Sequence, residues 1–198
     1  MKQSILLYRY LPWDSAIKTI EGKSFRVSRI LELNDPFEWV PGLDPVKPEA
    51  ADCAKWCMVD MDGFLKEMND NVGILSFSES IHEPVLWSHY ADSHRGIAFE
   101  VDIITPKLRK VKYTNERPVI DPRWINDQNE APRLLDILRS FWYRKSPGWA
   151  YEQERRIPIE LNTCRTSNGM FFLDIPTDYI NLKRVILGAR CNLGMSYV

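Results

Sequence analysis

The sequence predicts an α+β fold with a mixed, largely antiparallel sheet and surrounding helices, built as a single domain from residues 1–198. Three observations carry this expectation. Short apolar strand-like runs are spread along the whole chain, helical periodicities stand between them, and no repeat, low-complexity tract or linker divides them.

The elements follow in order. Ser4 to Tyr10 reads as a first strand, apolar and aromatic, ended by Pro12. Asp14 or Ser15 is placed to cap a helix through Glu21, with Gly22 where a helix usually stops. Phe25 to Ser28 is a second strand, and Asn34-Asp35-Pro36 is a turn, because a residue before Pro is pushed out of the helical region. Ala54, Cys57, Met58, Met61, Leu65 and Met68 recur at spacings of three and four, which predicts a helix from about Glu49 to Met68. Gly73 to Ser78 is a strand; Pro84 opens a helix that Gly96 should terminate. Ile97–Val101 and Lys110–Tyr113 read as strands, and Leu134, Leu135, Leu138, Phe141 and Trp142 mark a helix near Glu130 to Lys145. Arg155–Leu161 and Met170–Ile175 are expected to pair as a hairpin around the polar stretch Asn162 to Gly169. Arg184 to Leu187 is the last strand.

Apolar residues make up 44% of the chain and charged residues 27%, the mixture of an ordinary globular protein. No apolar run approaches the ~20 residues needed to span a bilayer, and the start lacks a small-residue cleavage site, so a cytoplasmic protein without membrane association is expected. Cys53, Cys57, Cys164 and Cys191 form no Cys-x-x-Cys pair and read as reduced thiols. Charge is uneven: Met1–Thr105 balances at −7 and Pro106–Val198 at +6. A basic second half suits an anionic ligand such as a nucleotide, although the two halves could equally neutralise each other.

Several chemistries are excluded. His82-Glu83 begins like a zinc-protease motif, but Leu86 stands where the second His is required. There is no Gly-x-Gly-x-x-Gly, no phosphate loop ending in Gly-Lys-Ser/Thr and no Gly-x-Ser-x-Gly elbow.

Three constellations remain. Trp87, Tyr90, Ala91 and His94 share one helical face, which either holds a flat ring or packs as an aromatic stripe. Glu152 and Glu154 enter a strand, where alternation points both to one face. Such a pair suits stabilisation of positive charge on a sugar carbon, or forms a network with Arg155 and Arg156 that only fixes the strand. Arg9, between Tyr8 and Tyr10, can meet phosphate through its fork and a ring through its face, or can be a merely structural arginine.

At these residues the chain resembles the bacterial domain-of-unknown-function family 2971 (DUF2971). The resemblance runs through Leu7-Tyr8-Arg9-Tyr10, Leu33-Asn34-Asp35-Pro36-Phe37-Glu38, Ser76-Phe77-Ser78, Trp87-Ser88-His89-Tyr90-Ala91 with His94 and Gly96, Trp149-Ala150-Tyr151-Glu152-Gln153-Glu154-Arg155, and Val185-Ile186-Leu187-Gly188. It also implies a further helical segment after Gly188, where ten residues stand.

In mechanism the order of motifs is similar to ADP-ribosyltransferases: a basic and aromatic first strand, a Ser-bearing strand, and a late Glu-x-Glu. That likeness implies NAD as substrate, Glu154 as the catalytic Glu and Glu152 as accessory residue. Arg9 with Tyr8 and Tyr10 would hold the diphosphate or ribose, and Trp87, Tyr90 or His94 would stack on nicotinamide. A toxin or phage-defence effector acting on a protein or nucleic-acid target is the implied role, with no metal required. The rival readings are a non-catalytic module that binds a nucleotide or a protein, and a metal-dependent nuclease or hydrolase on Asp35, Glu100, Asp102 and Glu154.

Overall fold

The computed structural model of the protein describes residues 4–35, 38, 42–43, 63, 65–120 and 129–192. In chain order its elements are β1 (Ile5–Leu11), α1 (Trp13–Gly22), β2 (Ser24–Arg29), β3 (Gly42–Leu43), a helix α2 over residues 65–71, β4 (Val72–Ser78), α3 (Pro84–Tyr90), β5 (Ile97–Ile103), β6 (Arg109–Lys110), β7 (Lys112–Tyr113), β8 (Val119–Ile120), α4 (Ala131–Phe141), β9 (Arg144–Lys145), β10 (Glu154–Glu160), β11 (Arg165–Ser167), β12 (Met170–Asp174) and β13 (Ile180–Leu187). Short 3-10 turns follow β2 at Ile30–Glu32 and precede β10 at Pro147–Glu152. The fold is α+β, dominated by a large curled antiparallel sheet. Most of the predicted Glu49–Met68 helix, with Cys53 and Cys57, lies outside the described residues. Among those residues, no helix is long and apolar enough to cross a membrane.

The sheet runs β11-β12-β2-β4-β1-β5-β13, with β10 on the other edge of β4 and β6 on β10. Its pivot is β4. One edge of β4 carries β10 in unbroken register from Glu154↔Ser78 to Glu160↔Val72. The opposite edge is divided: β2 takes Gly73 and Ile74, and β1 meets it only at Tyr8↔Ser78. The sheet therefore forks between β1 and β2. Along β1 the faces alternate as a strand requires. Leu7 joins the main core with Phe25, Phe77 and Phe99, whereas Tyr8 and Tyr10 face Leu86, Ala91 and Tyr90 on the other side.

Two expectations are corrected. The segments Arg155–Leu161 and Met170–Ile175 do not pair with each other. β10 pairs with β4 and β6, and β12 pairs with β2 and β11. The true hairpin is β11–β12, closed by Asn168 (φ 49°) and Gly169 (φ 72°) opposite the pair Ser167↔Met170. Asn-Gly with both residues left-handed is the tight turn that matches strand twist.

The helix opened by Pro84 ends at Tyr90, not near Gly96. Asp92, Ser93 and His94 all take positive φ, and their amide groups wrap back, Ser93 to the carbonyl of Ser88 and His94 to that of Trp87. Gly96 is needed where this wrap meets β1, since a Cβ there would lie 2.2 Å from the Leu11 carbonyl oxygen. The expected burial of Ala91 is found, while Trp87 and Tyr90 are half-buried.

Gly73 sits at the foot of the fork. A Cβ on it would meet Val27 Cγ1 at 2.4 Å and Leu161 Cδ2 at 2.8 Å. Gly73→Ala should therefore push β2 off β4 and lower stability by ~1–3 kcal/mol. Urea unfolding followed by tryptophan fluorescence reads this directly; an unchanged midpoint would show that the seam has slack.

Candidate functional site

A cleft of about 250 Å³ opens at the fork. Tyr8, Arg9 and Tyr10 of β1 line it, with Ser28 of β2, Ser76 and Ser78 of β4, Asn34 from the loop after β2, Tyr90 of α3, and Lys145, Glu152, Glu154 and Arg156. Six of the eight residues expected from the sequence thus converge: Tyr8, Arg9, Tyr10, Tyr90, Glu152 and Glu154. Trp87 and His94 do not line the cleft. Trp87 packs edge-on against Tyr10 at 5.0 Å and donates from its indole to the Ile81 carbonyl, while His94 stacks on the Trp87 ring at 6.2 Å. Once the helix stops at Tyr90, His94 leaves the helical face that the periodicity assigned to it.

Arg9 reaches the cleft through the fork. Strand alternation places its Cβ on the core face, opposite to Tyr8 and to Glu154, which aligns with Ser78 and so with Tyr8. Its guanidinium lies near the rings of Phe25 and Phe77, at 5.3 and 5.9 Å, rather than the flanking tyrosines. Nη1 donates to the Ser76 carbonyl at 3.3 Å and Nη2 to the Arg26 carbonyl at 2.6 Å. These are backbone acceptors on the two strands that the fork separates. Nε is buried without a partner, and no carboxylate among the described residues pairs with this cation. Burial, assisted by the Arg26 charge, lowers its pKa to about 10, so it stays protonated at neutral pH.

The carboxylates sit in a buried network. Arg156, 1% exposed, donates from Nε and Nη2 to both oxygens of Glu154 at 2.8 and 2.9 Å. It also donates from Nη1 and Nη2 to both oxygens of Glu38 at 2.6 and 3.0 Å. Lys145 donates to Glu152 at 2.6 Å and to Asn34 at 2.9 Å, and lies 3.5 Å from Glu38 and 3.6 Å from Glu154. The Tyr90 hydroxyl donates to Glu152 at 2.5 Å and accepts from the Asn34 amide. Asn34, Tyr90, Glu152 and Lys145 thereby close a ring of hydrogen bonds across four segments of the chain.

Burial alone would raise the pKa of Glu154, but the charge and hydrogen bonds of Arg156 overrule it and hold Glu154 at about 2. For Glu152 burial prevails over Lys145, and the Glu154 charge adds to it, so its pKa is raised. The Tyr90 hydroxyl is pushed up by burial and by Glu152, which keeps it a donor.

Of the two arginines expected to neutralise the glutamates, only Arg156 does so. Two residues along the strand from Glu154, it shares that face, whereas Arg155 points the other way and pairs with Glu79 at 2.6 Å. That much was readable from spacing. Lys145 was not, since its partner Asn34 is 111 residues away. The carboxylates of the nuclease reading are dispersed: Glu100 is held by Arg184 and Glu154 by Arg156. No group of three metal-ligating side chains gathers among the described residues. No family model matches the chain, and no curated protein or solved structure matches it either.

Glu154→Gln removes one charge from this network. Breaking a buried ion pair costs ~3–5 kcal/mol because it strands the partner charge, so the variant should unfold at clearly lower temperature than wild type. Arg9→Met, which strands no counter-charge, should move the midpoint less. For pH the sign is fixed by the depressed Glu154 pKa. Its stabilisation is present above the unfolded carboxylate value of ~4.3 and is lost as pH falls toward 2. Wild type should lose stability over that window, and Glu154→Gln should show a shallower loss. Parallel pH profiles for the two proteins would contradict the assignment.

Proposed function

We propose that the cleft binds NAD and cleaves the bond between nicotinamide and ribose, as an ADP-ribosyltransferase-like enzyme acting in the cytoplasm on a protein or nucleic-acid target. The observation that carries this reading is the distribution of charge around one cleft. On one side, the carboxylates Glu152 and Glu154 line the cleft beside Lys145 and Arg156, two cations that Glu38 also engages. On the other side, Arg9 carries a positive charge that pairs with no carboxylate among the described residues. A substrate with an anionic diphosphate and a sugar carbon that becomes cationic in the transition state complements both ends.

In this reading the C1′–N bond breaks with its electron pair leaving on nicotinamide. Positive charge then develops on the ribose beside Glu152 and Glu154, and an acceptor's lone pair captures the carbon while its proton passes to solvent. Arg156 keeps the Glu154 pKa low, so Glu154 is ionised at neutral pH. Tyr90 orients Glu152 through its hydroxyl, and Tyr8 and Tyr10 offer aromatic surface. The cleft volume of about 250 Å³ is slightly below the ~300–1,000 Å³ of whole-ligand pockets. It suits a nicotinamide-ribose-sized group with its phosphate at Arg9. The resemblance of the motif order to that of ADP-ribosyltransferases supports this reading.

The test is nicotinamide release from NAD by purified protein, with candidate protein and nucleic-acid acceptors supplied, at a temperature where the variants are folded by circular dichroism. Wild type should release nicotinamide, Glu154→Gln should lose ~10²–10³-fold in turnover, and Arg9→Met should lose binding. Equal turnover in wild type and Glu154→Gln would remove Glu154 from the mechanism. Saturable NAD binding without release would favour a nucleotide-binding module instead.

A further inference from the structure

A row of side chains leads from the cleft to the far edge of the sheet. Tyr8 on β1 is the register partner of Glu100 on β5, and Glu100 is the partner of Arg184 on β13. Glu100 is buried, its side chain 4% exposed, while that of Arg184 is 69% exposed. Arg184 donates from Nε and Nη2 to the two Glu100 oxygens at 2.8 and 2.6 Å, and Tyr8 stands beside the same carboxylate as its register partner. A register shift in β13 between Leu182 and Arg184 brings this about. Without it Lys183 would stand opposite Glu100. An irregularity of this kind re-aims a side chain at the cost of a ladder bond. Here it sets a forked donor, rather than a point charge, against the carboxylate beside Tyr8.

We propose that Arg184, acting through Glu100, is a positioning residue that fixes the Tyr8 ring in the cleft wall and thereby sets the affinity of the cleft for its nucleotide; this rests on the NAD reading of the site. A tyrosine held only by its χ angles samples several ring positions, whereas one whose hydroxyl is anchored to a bidentate carboxylate presents a fixed face. Glu100 can hold Tyr8 in this way only while it is ionised and immobile, and Arg184 ensures both. The fork holds both carboxylate oxygens and keeps the Glu100 pKa low.

Two readouts test this on the intact chain. With ¹³C-labelled tyrosine, and Tyr8→Phe to identify the signal, Arg184→Met should shift or broaden the Tyr8 ring resonance. Isothermal titration with ADP-ribose should show affinity falling on the order of tenfold in Arg184→Met, with little of it restored in Arg184→Lys, which returns the charge without the fork. Tyr8→Phe and Arg184→Met should be non-additive when combined. If Arg184→Met is poorly folded, the double variant Arg184→Met/Glu100→Gln leaves no stranded charge and should show the same loss. An unchanged Tyr8 resonance overturns the inference, as does a changed resonance with ADP-ribose affinity equal to wild type. Failure of wild type to bind millimolar ADP-ribose overturns the reading of the cleft itself, and this inference with it.

Discussion

The structure turns on the divided edge of β4. A strand edge has one row of backbone donors and acceptors, and here that row is shared between β2 at one end and β1 at the other. Two strands cannot follow the same edge, so they diverge and leave carbonyl groups at the fork without ladder partners. Arg9 answers that need by donating to Ser76 on β4 and Arg26 on β2. The side chain that stitches the fork also brings a cation to the cleft. Fold and site are therefore the same feature seen from two sides.

The same division explains why Arg9 stays unpaired although acidic side chains line its cleft. Alternation along β1 sends Arg9 toward the Phe25–Phe77 side, while Glu154 and Arg156 stand with Tyr8 on the opposite face. The acidic cluster finds its cations elsewhere: Arg156 from its own strand and Lys145 from β9. Among the described residues Arg9 contacts the Phe25 and Phe77 rings and the Ser76 and Arg26 carbonyls. The sheet itself separates the opposite charges that would otherwise annul one another, and a low-dielectric setting preserves the field between them.

How much of this was legible depends on range. Tyr8, Arg9 and Tyr10 stand on the predicted first strand, but alternation does not explain why Glu152 and Glu154 meet: Glu152 closes a 3-10 turn and Gln153 is left-handed, so only Glu154 belongs to the strand. The pairing of Arg156 with Glu154 does follow from alternation along that strand. The hairpin was misassigned because the apolar runs on either side of Asn162–Gly169 outweighed the Asn168-Gly169 dipeptide, which alone dictates the tight turn. His94 was misplaced because a helical period was carried across Asp92 and Ser93, where the backbone turns left-handed. Lys145 and Glu38 had no local signature. They enter the site through tertiary contacts that no spacing rule encodes.

Stability alone does not account for the buried charges. Replacing buried ion pairs by well-packed apolar residues is often neutral or stabilising, since desolvation offsets most of the attraction. A sheet that needed only to close around Glu38, Lys145, Glu152, Glu154 and Arg156 would do so more cheaply with aliphatic side chains. Arg9 makes the point more sharply, because it carries the desolvation cost without a counter-charge and leaves Nε unsatisfied. The polar groups whose burial costs most, Arg9, Lys145, Glu152, Glu154 and Arg156, are gathered around one cleft where the sheet divides.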